Sequence, residues 1–123
     1  MSSIKFVQTK PKVFYNIVAL VDKLNSANKN ISRYYRVTIL QPIIIDNLVA
    51  ILKSITAVSS KKTQKENYDC LSLCISNIEV AREFFLFFSA KKDVNYSQNF
   101  QLQISLDFEE VAKQLHGWKR KFE

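Results

Sequence analysis

The sequence predicts an all-α fold: one domain of four helices packed up-down-up-down as an antiparallel four-helix bundle. Three observations predict it. Glycine occurs once and proline twice in 123 residues, whereas many-stranded folds need many turn-forming residues. Apolar residues recur at steps of three and four along four long stretches, the period of a half-buried helix. The links between them, "NKNISRYY", "SSKKTQKEN" and "KKDVNYS", are short, polar and free of glycine. Short links make consecutive helices antiparallel neighbours. A chain of this length folds as a single domain and hides roughly two-thirds of its unfolded surface, enough for one core. Its 47% hydrophobic and 24% charged composition is that of a globular chain.

Residues 1–10 read as a loose basic arm. The first helix is expected at about 11–27, with Phe14, Ile17, Val21 and Leu24 as its stripe and Val13, Val18 and Leu20 flanking it. The second is expected at about 38–58, with Ile44, Ile45, Leu48, Ile51, Leu52, Ile55 and Val58 on its core face. Thr38 and Gln41 have the spacing of a capping box. Pro42 would then fall in the first turn, where a missing N–H costs least. The run "PIII" alone fits a strand, but its continuation at helical period decides for a helix.

The third helix is expected at about 65–91, with Leu71, Cys74, Ile75, Ile78, Ala81, Phe85 and Phe88 at helical spacing. Phe84 and Phe87 broaden the stripe, which suggests a helix covered on two sides. The fourth, at about 97–122, carries the cleanest pattern. Phe100, Ile104, Phe108, Val111, Leu115, Trp118 and Phe122 follow steps of 4, 4, 3, 4, 3 and 4. Asn95 or Ser97 can cap its start. Gly117 and Trp118 are read as structural. Trp118 lies on the core stripe and closes one end of the core, while Gly117 makes room at a helix crossing, since glycine within a helix costs about 1 kcal/mol relative to alanine.

The net charge is +7, from 18 basic and 11 acidic residues. Such an excess points to a polyanionic partner or an acidic protein surface. The bundle topology sorts the cations to its two ends. Lys29, Arg33 and Arg36 would meet Lys91 and Lys92 at one end. Lys10, Lys12, Lys61, Lys62, Lys65, Lys119, Arg120 and Lys121 would gather at the other. Tyr34 and Tyr35 lie beside Arg33 and Arg36, a mixture suited to phosphate contacts with base or sugar packing. No helix-turn-helix glycine turn, RNP-type strand or zinc finger is present.

Catalytic, cofactor and metal sites are not expected. There is no glycine-rich phosphate loop and no Glu-x-x-His pair of the di-iron bundles. His116 is the only imidazole, and positions 112, 113, 119 and 120 around it are Ala, Lys, Lys and Arg. Cys70 and Cys74 with one distant histidine do not make a zinc site and read as reduced thiols. No apolar segment follows the charges of "MSSIKFVQTKPK", and no uninterrupted apolar run reaches about 18 residues. A cytoplasmic chain without a membrane segment is the expectation.

Several stretches resemble one family, the four-helix-bundle accessory proteins (Avd) of diversity-generating retroelements. Its broad superfamily also holds proteins encoded in intervening sequences of bacterial rRNA genes. "ISRYYRVTILQPI" at 31–43 resembles the family's Pro-Arg-x-x-Arg-Phe-Thr-Leu-Gly segment, with Arg33, Arg36, Thr38 and Leu40 near its pattern. "LVAILKSITAV" at 48–58 resembles the apolar run that follows. "LSLCISNIEVAREFFLFFSAKKDVN" at 71–95 resembles the third helix, with Glu79 and Arg82 at a Leu-Glu-x-x-Arg-like core. "LHGWKRKF" at 115–122 resembles the closing Leu-Gly-Gly-Trp-x-Lys. The resemblance covers about residues 12–122. It departs at Ser32 for the family's Pro, at Gln41 and Pro42 for its Gly, and at His116 for the first Gly of Gly-Gly-Trp.

The resemblance implies a non-catalytic protein of a bacterium or phage that binds the element's reverse transcriptase and its template RNA, and with them the cDNA. It implies a homopentameric ring and a role in mutagenic reverse transcription, with no chemistry of its own. Two other readings stand beside it: an rRNA intervening-sequence-type or ribosome-associated RNA-binding bundle, and a bundle that binds only a protein partner. A lateral apolar surface would be needed for a ring, and Phe84, Phe87 and Phe100 are candidates for it.

Overall fold

A computed structural model describes residues 10–123. Apart from Lys10, the expected basic arm lies outside the described residues. Those residues form four long helices and no strand: α1 (Lys12–Ser26), α2 (Arg33–Ile55), α3 (Gln64–Ser89) and α4 (Gln98–Lys119). Single tighter turns, Asn28–Asn30 and Arg120–Phe122, follow α1 and α4.

α1 starts after Pro11, whose φ of −64° and ψ of 156° set the chain entering the helix. The Pro11 carbonyl accepts from the Phe14 N–H at 3.0 Å. The buried face is Val13, Ile17, Leu20 and Leu24, with Phe14 and Val21 half-buried and Val18 exposed. The expected stripe is therefore rotated towards Val13 and Leu20. Both stripes share Ile17 and Leu24, so periodicity alone fits either.

α2 departs most from the sequence expectation. It begins at Arg33, five residues earlier than 38, because the Ser32 hydroxyl caps it by accepting from the Tyr35 N–H at 3.3 Å. Thr38 and Gln41 form no capping box. The Thr38 hydroxyl donates to the Tyr34 carbonyl at 2.6 Å, and the Gln41 amide donates to Asn25 Oδ1 at 3.2 Å. Pro42 therefore stands inside the helix. Arg36–Ile45 answers by winding as a π-helix, with the Asp46 N–H reaching the Gln41 carbonyl five residues back. In an α-helix a proline ring strikes the carbonyl four residues earlier, and the wider turn relieves that contact. Regular α-helix resumes at Asp46–Ile55. By length and composition alone α2 could cross a bilayer. Leu40, Ile44, Ile45, Leu48, Ile51 and Ile55 on it are buried in the core, while Val37 is exposed.

α3 opens with a full capping box. The Thr63 hydroxyl accepts from the Glu66 N–H at 3.0 Å, and Glu66 Oε1 accepts from the Thr63 N–H at 2.8 Å. Those backbone and hydroxyl bonds from Thr63 hold the Glu66 carboxyl below its ordinary range. Leu71, Cys74, Ile78, Ala81, Phe85 and Phe88 are buried as expected. Phe84 and Phe87 are not covered: they are 37% and 61% exposed. α4 is capped by the Ser97 hydroxyl, which accepts from the Phe100 N–H at 3.0 Å. Ile104, Phe108, Val111 and Leu115 are buried, and Phe100, Trp118 and Phe122 pack against the core from its edges.

α1 packs on α2 and α4, and α3 packs on the same two helices. At one end of the core Phe85 stacks on Tyr96 with centroids 5.8 Å apart, and meets Phe88 edge-on at 5.9 Å. The Cys74 thiol, with no solvent exposure, is pushed up to about 12, first by burial and then by Cys70 beside it. The Cys70 thiol donates to the Ser54 carbonyl at 3.2 Å.

Candidate nucleic-acid and partner interface

The link after α1 and the link after α3 are stitched together. The Asn95 N–H donates to the Asn30 carbonyl at 2.9 Å, and the Tyr35 hydroxyl donates to Asp93 Oδ1 at 3.2 Å. Burial, then the Asp93 carboxylate, raises the Tyr35 hydroxyl's pKa. This stitching brings Arg33 and Arg36 to the same end of the molecule as Lys91 and Lys92. Arg33, Lys91 and Lys92 are exposed, as is Tyr34 at 69%. Arg36 is different: its guanidinium turns inward and donates to the Asn28 carbonyl at 3.5 Å. Lys91 extends its ammonium over the Phe87 ring, 4.5 Å from the centroid.

A second group forms where α3 begins and α4 ends. The Gln64 amide donates to the Phe122 and Glu123 carbonyls at 2.9 and 3.1 Å. Lys65 pairs with Asp69 at 2.8 Å, a bond that raises the lysine's pKa. The half-buried Lys119 lies over the Tyr68 ring at 5.1 Å. Lys61, Lys62, Arg120 and Lys121 are exposed. Among the described residues, Arg33, Lys92, Lys61, Lys62, Arg120 and Lys121 make no ion pair. An open hollow of about 730 Å³ beside these bonds is lined by Gln64, Lys65, Tyr68, Asp69, Phe122 and Glu123.

The cations named from the sequence are not equivalent. Arg36, Lys65, Lys91 and Lys119 already have partners within the chain. The others can meet phosphate oxygens as independent charges, with the exposed Tyr34 offering a ring face for a base.

Gly117 does not sit at a close helix crossing. A Cβ there would meet only Arg120 Nη2, at 3.7 Å, an ordinary contact. Its φ is not positive. Gly117 instead lines an open cleft of about 320 Å³ with Trp118, Pro11 and Lys12. Trp118 is half-buried at that end of the core.

The sequence did not single out three features. Asn67 is buried at 3% exposure and bonds the link before α3. The Tyr96 hydroxyl is buried without a hydrogen-bond partner among the described residues. On the outer faces, Leu73, Val80, Leu102 and Leu106 are exposed at 57%, 40%, 58% and 52%. Single exposed leucines carry no sequence signal, because an outward leucine and an inward one look alike until the helix phase is known.

Comparison with known protein families, curated proteins and solved structures finds no match to this chain.

Proposed function

We propose that this chain is a non-catalytic accessory protein of the retroelement type, binding RNA and cDNA through its cationic ends and a reverse transcriptase through its protein surface. The observation that carries the reading is the set of exposed cations, Arg33, Lys61, Lys62, Lys92, Arg120 and Lys121, that make no ion pair among the described residues. The +7 charge supplies the long-range attraction for a polyanion. The family resemblance supplies the identity of the partner.

The proposal includes the up-down-up-down antiparallel bundle. The Asn16 amide donates to Gln114 Oε1 at 3.0 Å, and Lys23 pairs with Asp107 at 2.8 Å. One helix position rises along α1 while its partner falls along α4, which supports opposed directions. Gln64 beside Phe122 and Tyr35 beside Asp93 support the same for the other helices. It includes a homo-oligomer, a pentamer in the resembled family. Leu102 and Leu106, one turn apart on α4, offer an apolar surface for contact between copies.

Two measurements test this. Filter binding of single-stranded RNA at increasing salt should show affinity falling steeply, since each phosphate contact releases counterions. Pull-down of the tagged protein from its own host should recover a reverse transcriptase. Affinity that ignores salt, or no binding at low salt, removes the nucleic-acid half. Ribosomal proteins without a polymerase would assign the chain to the rRNA-linked reading instead.

A further inference from the structure

We propose that the outer face of α3 is a docking groove for a cationic, amphipathic helix of a partner protein. This deepens the protein-partner half of the reading above and rests on that half alone. Leu73, Val80, Phe84 and Phe87 follow steps of 7, 4 and 3, which align them on one side of the helix. All four are exposed, from 37% to 61%. They stand apart from the face that buries Leu71, Cys74, Ile78 and Phe85, so packing on α2 and α4 leaves them uncovered. Leu73 to Phe87 spans about 21 Å of helix axis. A partner helix of about four turns fits that length and no more.

The charge around the stripe says what covers it. Glu79 and Glu83, one turn apart, border it, and both are exposed. Among the described residues neither forms an ion pair. Glu83, Phe84 and Phe87 line one hollow of about 340 Å³. A carboxylate beside two ring faces is a receptor for an ammonium or guanidinium, which gains both charge pairing and attraction to the rings. The Phe87 ring already takes a cation: Lys91 covers it at 4.5 Å from the C-terminal side. Phosphate is repelled by the same carboxylates, and the stripe meets a cationic end only at Lys91, over Phe87. Face-to-face pairing with a second copy would set Glu79 and Glu83 against their own equivalents. An apolar helix whose Lys and Arg face Glu79 and Glu83 complements the stripe and its acidic border, with Lys91 closing the Phe87 end.

The test uses two fluorescent helical peptides with the same leucine stripe, one flanked by Lys and Arg, the other by Glu. Anisotropy titrations use the intact protein. The cationic peptide should bind and the acidic peptide should not. Phe87→Ser should weaken the cationic peptide by about tenfold or more, with the circular dichroism spectrum unchanged because this ring is mostly outside the core. Glu79→Lys with Glu83→Lys should exchange the preference, so that the acidic peptide gains binding. Asp22→Lys, a charge change on α1, should leave both titrations unchanged. The proposal is overturned if both peptides bind alike, if neither binds, or if the preference survives the reversal. It is also overturned if Phe84→Ser and Phe87→Ser lower the native mass, since the stripe then belongs to a contact between copies. Recovery of a reverse transcriptase in the pull-down is a separate readout, so either result can fail while the other stands.

Discussion

Asn67 grips both backbone groups of Ser59. Its Oδ1 accepts from the Ser59 N–H at 3.3 Å, and its Nδ2 donates to the Ser59 carbonyl at 2.9 Å. The pair closes the link between α2 and α3 as a backbone ladder would, with a side chain in place of a strand. Asn67 is almost fully buried, so its amide has no water to fall back on. Asn67→Ala should cost about 2 kcal/mol, from the removal of two hydrogen bonds and the space left behind. Urea unfolding of the variant beside the parent protein measures it. A change within a few tenths would mean that the link is held by other contacts.

Tyr96 makes the opposite prediction. Its ring packs among Phe85, Phe88 and Phe100, yet its hydroxyl has no partner among the described residues. A buried hydroxyl without a hydrogen bond carries a desolvation cost of about 1–3 kcal/mol. Tyr96→Phe keeps the ring and removes that cost. The melting temperature should rise by a few degrees; a fall would show that the hydroxyl is satisfied in solution.

Gly117→Ala should stabilise the protein by about 1 kcal/mol, the difference in helix propensity. The added methyl meets only the far end of the Arg120 side chain. Chemical denaturation gives the sign directly. Destabilisation would place another molecule against Gly117, in the cleft it shares with Trp118.

Alkaline pH should weaken the fold through Cys74 and Tyr96. Burial raises both to about 12, from ordinary values of 9.0 and 10.0. Each group is neutral in both states below its ordinary value, so the stability that its raised pKa represents is fully present there. As pH climbs from about 9, the unfolded Cys74 thiol loses its proton while the folded one keeps it, and unfolding is favoured. Tyr96 adds to the loss from about pH 10 until both groups ionise in the folded chain near 12. Tyr96→Phe should flatten the upper part of this fall in a series of urea titrations across pH. An unchanged slope would show Tyr96 ionising in the fold as it does outside it.

The two cationic ends can be separated by charge reversal. Arg33→Glu with Lys92→Glu addresses one, and Lys61→Glu with Lys62→Glu the other. All four side chains are exposed, so folding should survive. For every RNA phosphate that a reversed side chain no longer neutralises, the salt slope on single-stranded RNA should fall by about 0.7. The end whose reversal leaves the slope unchanged is not the nucleic-acid surface.

α4 is legible in the sequence because its stripe from Phe100 to Phe122 is unbroken and Ser97 is a strong cap at the right distance. α3 is legible for the same reason, down to Cys74 and Ala81 on its buried face. The start of α2 is not. Pro42 looks like a first-turn residue, since sequence rules give an interior proline no way to be comfortable, and a π-helical turn has no 3.6-residue signature to find. Gly117 misleads because glycine in a helix signals close packing only when something packs there. The inward turn of Arg36 and the pairing of Lys65 depend on side-chain geometry that spacing does not encode.

The widened turns of Arg36–Ile45 carry a consequence for how this chain tolerates insertions and deletions. Such turns hold surplus chain within a continuous helix, so the stretch is a reservoir of length. Deleting one residue there, Pro42 above all, would let the turns tighten while Asp46–Ile55 keeps its face to the core. The same deletion within Asp46–Ile55 would carry Ile51 and Ile55 round into solvent.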